Sequence, residues 1–172
     1  GTPPDKHGNA DLGAVEAVAA AFGDHLDGYK LLVNKSTVPV GTGDHCRTII
    51  RQHLRERGAT ADFDVVSNPE FLREGAAIND TMKPERIVIG AESEQALQIM
   101  QRLYAPILRP HIPVIATDCK SAELIKYASN AFLATKISFI NEVANYCERT
   151  GADVTAVSRG MGADSRIGHR FL

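Results

Sequence analysis

Four short apolar runs, each separated from the next by a segment long enough for a helix, constrain the fold of this chain more than any other feature. They are KLLVN (30–34), FDVVS (63–67), RIVIG (86–90) and IPVIA (112–116). Runs this short and this continuously apolar read as buried strands. The stretches between them are amphipathic. Asp11 is placed to cap a helix over 12–26, in which Leu12, Val15, Ala19 and Phe22 share one face. A second helix is expected over 43–57, closed by Gly58, and a third from the cap Ser93 through Leu103. Strand, crossover helix, strand is the repeat of a parallel α/β sheet covered on both faces.

The pattern changes after Thr117. From Ser121 to Arg149 there is neither proline nor glycine, and Leu124, Tyr127, Ala128, Ala131, Ala134, Ile137, Ile140, Val143, Ala144 and Cys147 form a wide apolar stripe. About 29 residues of helix would run roughly 43 Å. A helix of that length joins domains or builds a subunit interface. Gly151 ends it, and a shorter helix is expected over 152–159. The chain therefore divides into 1–117 and 118–172.

Composition removes several function classes. At 172 residues with 44% hydrophobic and 23% charged, the chain holds one domain plus part of a second. A net charge of -2 offers no footprint for nucleic acid or an anionic membrane, and no apolar run approaches the roughly 20 residues that span a bilayer. Residues 1–6 lack the basic-then-apolar order of a secretory leader. Cys46, Cys119 and Cys147 are odd in number and widely spaced, so neither a disulfide framework nor a zinc site is expected, and a reduced, cytoplasmic setting fits. The six histidines show no metal-binding spacing, so no protein-ligated metal is expected. Neither GxGxxG nor a Walker A loop occurs, and both ends read as cut from a longer chain.

Four stretches carry candidate chemistry. Asn34–Thr42 (NKSTVPVGT) is a hydroxyl-rich loop at the carboxyl end of a strand, where α/β sheets take ligands. It reads equally as turn chemistry, with Thr42 capping the next helix. Ser67–Gly75 (SNPEFLREG) places Glu70 and Glu74 four apart after a strand, either as a base with a second polar contact or as a solvated turn in which Glu74 pairs with Arg73 or Lys83. Lys126 and Asn130 share a helix face and suit a developing oxyanion; alternatively, Glu123 and Lys126 form a surface pair. GADSRIG (162–168) presents Arg166 in a tight loop, either to a phosphate or carboxylate or to Asp164.

In order and spacing, NKSTVPVGT, SNPEFLREGAAINDTMKPERIVIG, AELIKYASNAFLATKISFINEVA and GADSRIG resemble the UDP-glucose 6-dehydrogenase family. The resemblance covers essentially the whole chain. It implies that 1–117 is the second half of an NAD-binding Rossmann-like parallel sheet. Residues 118–172 would open an all-α middle domain whose long helix forms a homodimer core. The family oxidises C6 of a UDP-sugar twice with two NAD⁺, through a thiohemiacetal and a thioester on a cysteine. Carried over by motif, Thr37 would sit beside the nicotinamide and help position the reacting water. Glu70 would be the base for hydrolysis, and Glu74 would lie at the cofactor and substrate side. Phe71 and Leu72 would offer backbone contacts to the sugar nucleotide. Lys126 would stabilise the alkoxide or oxyanion, Asn130 would help hold the same oxygen, and Arg166 would reach the substrate of a neighbouring subunit.

The family's glycine fingerprint and its nucleophilic cysteine motif do not occur here, and none of the three cysteines has the right context. The chain by itself is therefore expected to be inactive. GDP-mannose and UDP-N-acetyl-sugar 6-dehydrogenases share the architecture, and a non-catalytic fragment that only dimerises through the long helix is the reading outside the enzymes.

Overall fold

The computed structural model describes residues 2–4, 6 and 8–172. Gly1 and Asp5, two of the residues read above against a leader, lie outside them. The chain forms two compact units, Gly1–Lys126 and Tyr127–Leu172.

In the first unit the elements follow in the order α1 (Gly13–His25), β1 (Lys30–Asn34), α2 (Thr42–Glu56), β2 (Phe63–Ser67), α3 (Ala77–Met82), β3 (Ile87–Gly90), α4 (Glu94–Tyr104) and β4 (Val114–Thr117), then the opening turns of α5 (Cys119–Thr150). The four strands make one sheet in the order β1-β2-β3-β4. β1 and β2 are parallel with Lys30 opposite Phe63 and Asn34 opposite Ser67, and β3 and β4 are parallel with Ile87 opposite Val114. The two pairs meet antiparallel at Ser67 and Gly90. The expected sheet is thus mostly parallel, with one reversal at its centre. That reversal follows from a connection through the short α3 rather than through a full crossover helix.

Successive residues of β2 face opposite ways. Val65 joins Ala19, Leu26, Cys46, Ile50 and Leu54 in a core beneath α1 and α2. Val66 joins Ile87, Ile89, Ala96 and Met100 in a second core beneath α4. Of the expected α1 face, Ala19 is buried while Val15 and Phe22 pack against the first core. Asp11 accepts from the Gly13 N–H at 2.8 Å, although the helix itself starts one residue later than expected.

Local signals closed the helices much as read. Ser93 caps α4 by accepting from the Ala96 N–H. Past α2, Gly58 adopts φ 66° and donates to Arg55 O while Ala59 donates to Leu54 O, the paired bonds of a Schellman ending. Thr42 does not cap α2. The cap position is Gly41 at φ 97°, and the Thr42 hydroxyl donates to Pro39 O.

The second unit comprises α5 from Tyr127 onward, α6 (Val154–Gly162) and the closing loop. At 32 residues α5 is longer than expected, roughly 48 Å. Gly151, at φ 75°, donates to Cys147 O and ends it. Asp153 caps α6 through the Thr155 N–H, and Lys136 Nζ donates to Ile167 O at 2.9 Å, tying the final loop to α5. The stripe is not uniformly buried: Ile140, Val143, Ala144 and Cys147 are covered, whereas Ala128, Ala131, Ala134 and Ile137 are exposed.

Candidate active site

The register that sets Asn34 opposite Ser67 makes the loops after β1 and β2 leave from the same edge of the sheet. Asn68, 2% exposed, locks the second loop in place. Its N–H donates to Asn34 O, and its Nδ2 donates to Val88 O at 2.7 Å. Its Oδ1 accepts from Lys35 Nζ at 3.1 Å and from the Tyr104 hydroxyl. Asn68 thereby ties β1, through its N–H, and β3 and α4, through its side chain, to the segment that carries Glu70 two residues later.

Glu70 is half-buried. One carboxylate oxygen accepts from the Leu72 N–H at 2.6 Å, and the other lies 3.2 Å from Lys126 Nζ. The Lys126 side chain is 8% exposed and that of Glu70 31%. The Phe71 ring sits under the Arg86 guanidinium, 3.7 Å from its centre, with Lys126 Nζ 5.3 Å away. Two cations and one carboxylate thus surround this ring, leaving a local positive balance suited to an anionic or oxyanionic partner.

The start of α5, which carries Lys126, is held at several points. Asp118 accepts from Ser121 N at 2.8 Å, and the Glu123 carboxylate accepts from the N–H groups of Gly41 at 2.6 Å and Gly43 at 2.8 Å. Glu123 is 2% exposed, so the reading of Glu123 and Lys126 as a solvated surface pair is corrected: both are buried and each has a partner elsewhere in the fold. Burial pushes the Glu123 carboxyl above its ordinary range, and the Gly41 and Gly43 donors work against that rise.

The structure brings Glu70, Phe71 and Lys126 together. The Leu72 N–H joins them through its bond to Glu70. Leu72 and Glu74 are exposed. The suggested pairing of Glu74 with Arg73 does not occur, because Arg73 forks onto Asp80 at 2.6 and 3.0 Å. Thr37 is half-buried, and its carbonyl accepts from the Thr2 hydroxyl at 2.7 Å. Asn130 and Arg166 belong to the second unit. Asn130 is exposed, and Arg166 is held by Asp164 at 2.5 and 3.0 Å.

All three cysteines are free and buried. Burial pushes the Cys46 and Cys119 thiols up, away from the thiolate a nucleophile requires. Among the described residues no group of three or more histidine, cysteine or acidic side chains is placed to hold a metal, and no described helix is long and apolar enough to cross a membrane.

The sequence reading passed over Asn34, Asn68 and Arg86. Asn34 Nδ2 is buried without a hydrogen-bond partner among the described residues, at the carboxyl end of β1. A buried donor lacking an acceptor at that edge fits a polar cofactor or substrate that supplies one. The signal was present in the quoted motifs, but a neutral amide and an arginine at a strand start carry no pattern of their own.

The family model of the UDP-glucose/GDP-mannose dehydrogenase family, NAD binding domain, matches residues 1–108, and that of the family's central domain matches residues 120–172. The UDP-glucose 6-dehydrogenase TuaD of Bacillus subtilis is 59% identical across all of this chain, which spans 36% of that protein. The UDP-glucose 6-dehydrogenase of Rhizobium meliloti is 51% identical over the whole chain and 39% of its own length. Among solved structures, a UDP-glucose dehydrogenase from Pyrobaculum islandicum superposes with a TM-score of 0.89 at 43% identity, over 99% of this chain and 39% of that one. A GDP-mannose dehydrogenase from Pseudomonas aeruginosa gives 0.84 at 34% identity, over 95% and 38%. The chain thus spans under two fifths of the curated relatives it matches.

Proposed function

Since the chain belongs to the UDP-glucose/GDP-mannose dehydrogenase family, we propose that it carries part of the active site of an NAD-dependent enzyme oxidising C6 of UDP-glucose to the carboxylate of UDP-glucuronate. The observation that carries this reading is the buried Lys126 ammonium beside Glu70, at the sheet edge where α/β folds take ligands. Oxidation of an alcohol and hydrolysis of an acyl intermediate both develop negative charge on oxygen, and a desolvated ammonium stabilises that charge far better than one in water. Glu70 takes a proton from the hydrolytic water, and Asn130 holds the same oxygen as Lys126. NAD, when bound, supplies the hydride acceptor. Thr37 and Glu74 lie on its side of the site, and the Asn34 amide offers it a donor. Phe71 and Leu72 meet the sugar nucleotide.

In this reading residues 1–117 are the second half of the NAD-binding domain, and residues 118–172 open the helical middle domain. The protein is a cytoplasmic homodimer through α5. Support comes from the exposed Phe132, Phe139 and Tyr146 on that helix, apolar surface that a partner would cover. Arg166, with an 87% exposed side chain, is free to swing from Asp164 to a substrate in the neighbouring subunit.

The test is NADH formation by the full-length protein with UDP-glucose, GDP-mannose and UDP-N-acetylglucosamine in parallel. Two NADH per UDP-glucose support the reading. Turnover of another sugar nucleotide moves the substrate within the family, and no NADH with any of the three overturns the activity.

A further inference from the structure

The first turns of α5 are clamped at two places that the chemistry above does not use. At one, Gly90 leaves no room for a side chain: an added Cβ would lie 2.6 Å from Ala122 Cβ and 2.7 Å from Asp118 O. At the other, both oxygens of Glu123 accept from the N-terminal end of α2, one from the cap residue Gly41 N and one from Gly43 N. An added Cβ at Gly43 would meet Glu123 Oε1 and Cys119 Cβ at 3.4 Å. Glu123 precedes Lys126 by three residues, so the two side chains project from neighbouring turns of one helix. Glu123 thus ties α5 to the end of the hydroxyl-rich loop that carries Thr37, while Lys126 ties it to the loop that carries Glu70.

We propose that Glu123 is a positioning residue: by gripping Gly41 and Gly43 it sets the seat of α5 and thereby places the Lys126 ammonium against Glu70. A buried carboxylate holding two N–H groups is a stiff joint, because both acceptor positions are filled and water is excluded. Glutamine at 123 keeps the shape but accepts from one N–H only, and it turns an NH₂ donor against the other. The expected loss is one charge-assisted hydrogen bond, about tenfold in any equilibrium that depends on the seat.

The inference rests on the proposed function only for its catalytic consequence, so the test has two readouts on the full-length protein. The first is the rate at which acetic anhydride acylates Lys126, followed by peptide mass spectrometry with the exposed Lys30 as internal reference. In Glu123→Gln, Lys126 acylation rises about tenfold relative to Lys30, in line with the loosened seat. The second readout is NADH formation from UDP-glucose. Here kcat falls while the KM values for UDP-glucose and NAD move little, and Glu123→Gln costs nothing more when added to the residual rate of Lys126→Ala. If Glu123→Gln does not fold, Glu123→Asp, which keeps the charge but shortens the reach, is read in the same way. Unchanged Lys126 acylation overturns the proposal whatever the rates do. A wild-type protein that makes no NADH overturns the proposed function instead, and acylation still decides the role of Glu123.

Discussion

Lys126 Nζ lies 3.2 Å from Glu70 Oε1, joining the start of α5 to the loop that leaves β2. The two ends of this pair are unequal, with the ammonium nearly dry and the carboxylate about a third exposed. Removing the carboxylate strands a buried cation, which is worse for the fold than removing the cation. Glu70→Gln is therefore expected to lower stability by about 1–3 kcal/mol, less than the roughly 3–5 kcal/mol of a fully buried pair, as read by urea unfolding. Lys126→Ala is expected to cut NADH formation by roughly 10²–10³, the scale of one lost oxyanion contact in a dry site. A Lys126→Ala rate within a few-fold of wild type would remove this lysine from the chemistry.

Asn68 is a lock whose partners do not substitute for one another. Asn68→Leu, close in size, strips Val88 O of its side-chain donor and the Tyr104 hydroxyl of its acceptor, and takes from Lys35 Nζ one of its three acceptors. Its expected cost is about 2–4 kcal/mol, against about 0.5–1.5 kcal/mol for Tyr104→Phe, which deletes the hydroxyl's bond to Asn68 and its exposed one from Lys35 Nζ. Equal midpoints for the two variants in denaturant would contradict the hierarchy.

Gly90 tests how closely α5 sits on the sheet. Its φ is unremarkable, so the objection to a side chain is space: Ala122 Cβ and Asp118 O occupy the position. Gly90→Ala is expected to destabilise by roughly 1–3 kcal/mol, as overpacking does. Gly8→Ala, with open space around it but a φ of 83°, costs about 1 kcal/mol for backbone strain alone. Thermal melts of the two variants should separate accordingly.

The Arg73–Asp80 fork sets a limb of the acid response. The Arg73 guanidinium and N–H hold the Asp80 carboxyl down to about 2 from an ordinary 3.8. Because the folded value is depressed, the stabilisation is present above pH 3.8 and is lost as pH falls through about 2. Melting temperatures of wild type and Asp80→Asn should therefore differ near neutrality and converge toward pH 2. Parallel curves over that range would show that the pair contributes nothing through this titration.

Legibility followed range along the chain. β1 and β2 were placed to the residue, because each run gives way at once to turn residues, Lys35-Ser36 after β1 and Asn68-Pro69 after β2. The stops at Gly58 and Gly151 were readable because a left-handed glycine closes a helix by itself. α3 was missed: AINDTM has no buried residue and hence no apolar period to detect. The candidate site divides in the same way. The stretches holding Glu70 and Lys126 stood out as motifs, but their pairing spans 56 positions, and no local pattern encodes it.

What the sequence alone determined is the alternation of strands and helices, most helix ends and the long uninterrupted α5, all set by periodicity and capping within a few residues. What only the tertiary structure decided is the reversal between β2 and β3, the burial of Glu123 and its partners some 80 residues away, and the identity of the carboxylate that faces Lys126. The physical reason is that a polar side chain takes its role from what remains unpaired when faces close. Glu123 reads as a surface acid until the bare N–H groups at the start of α2 are brought against it.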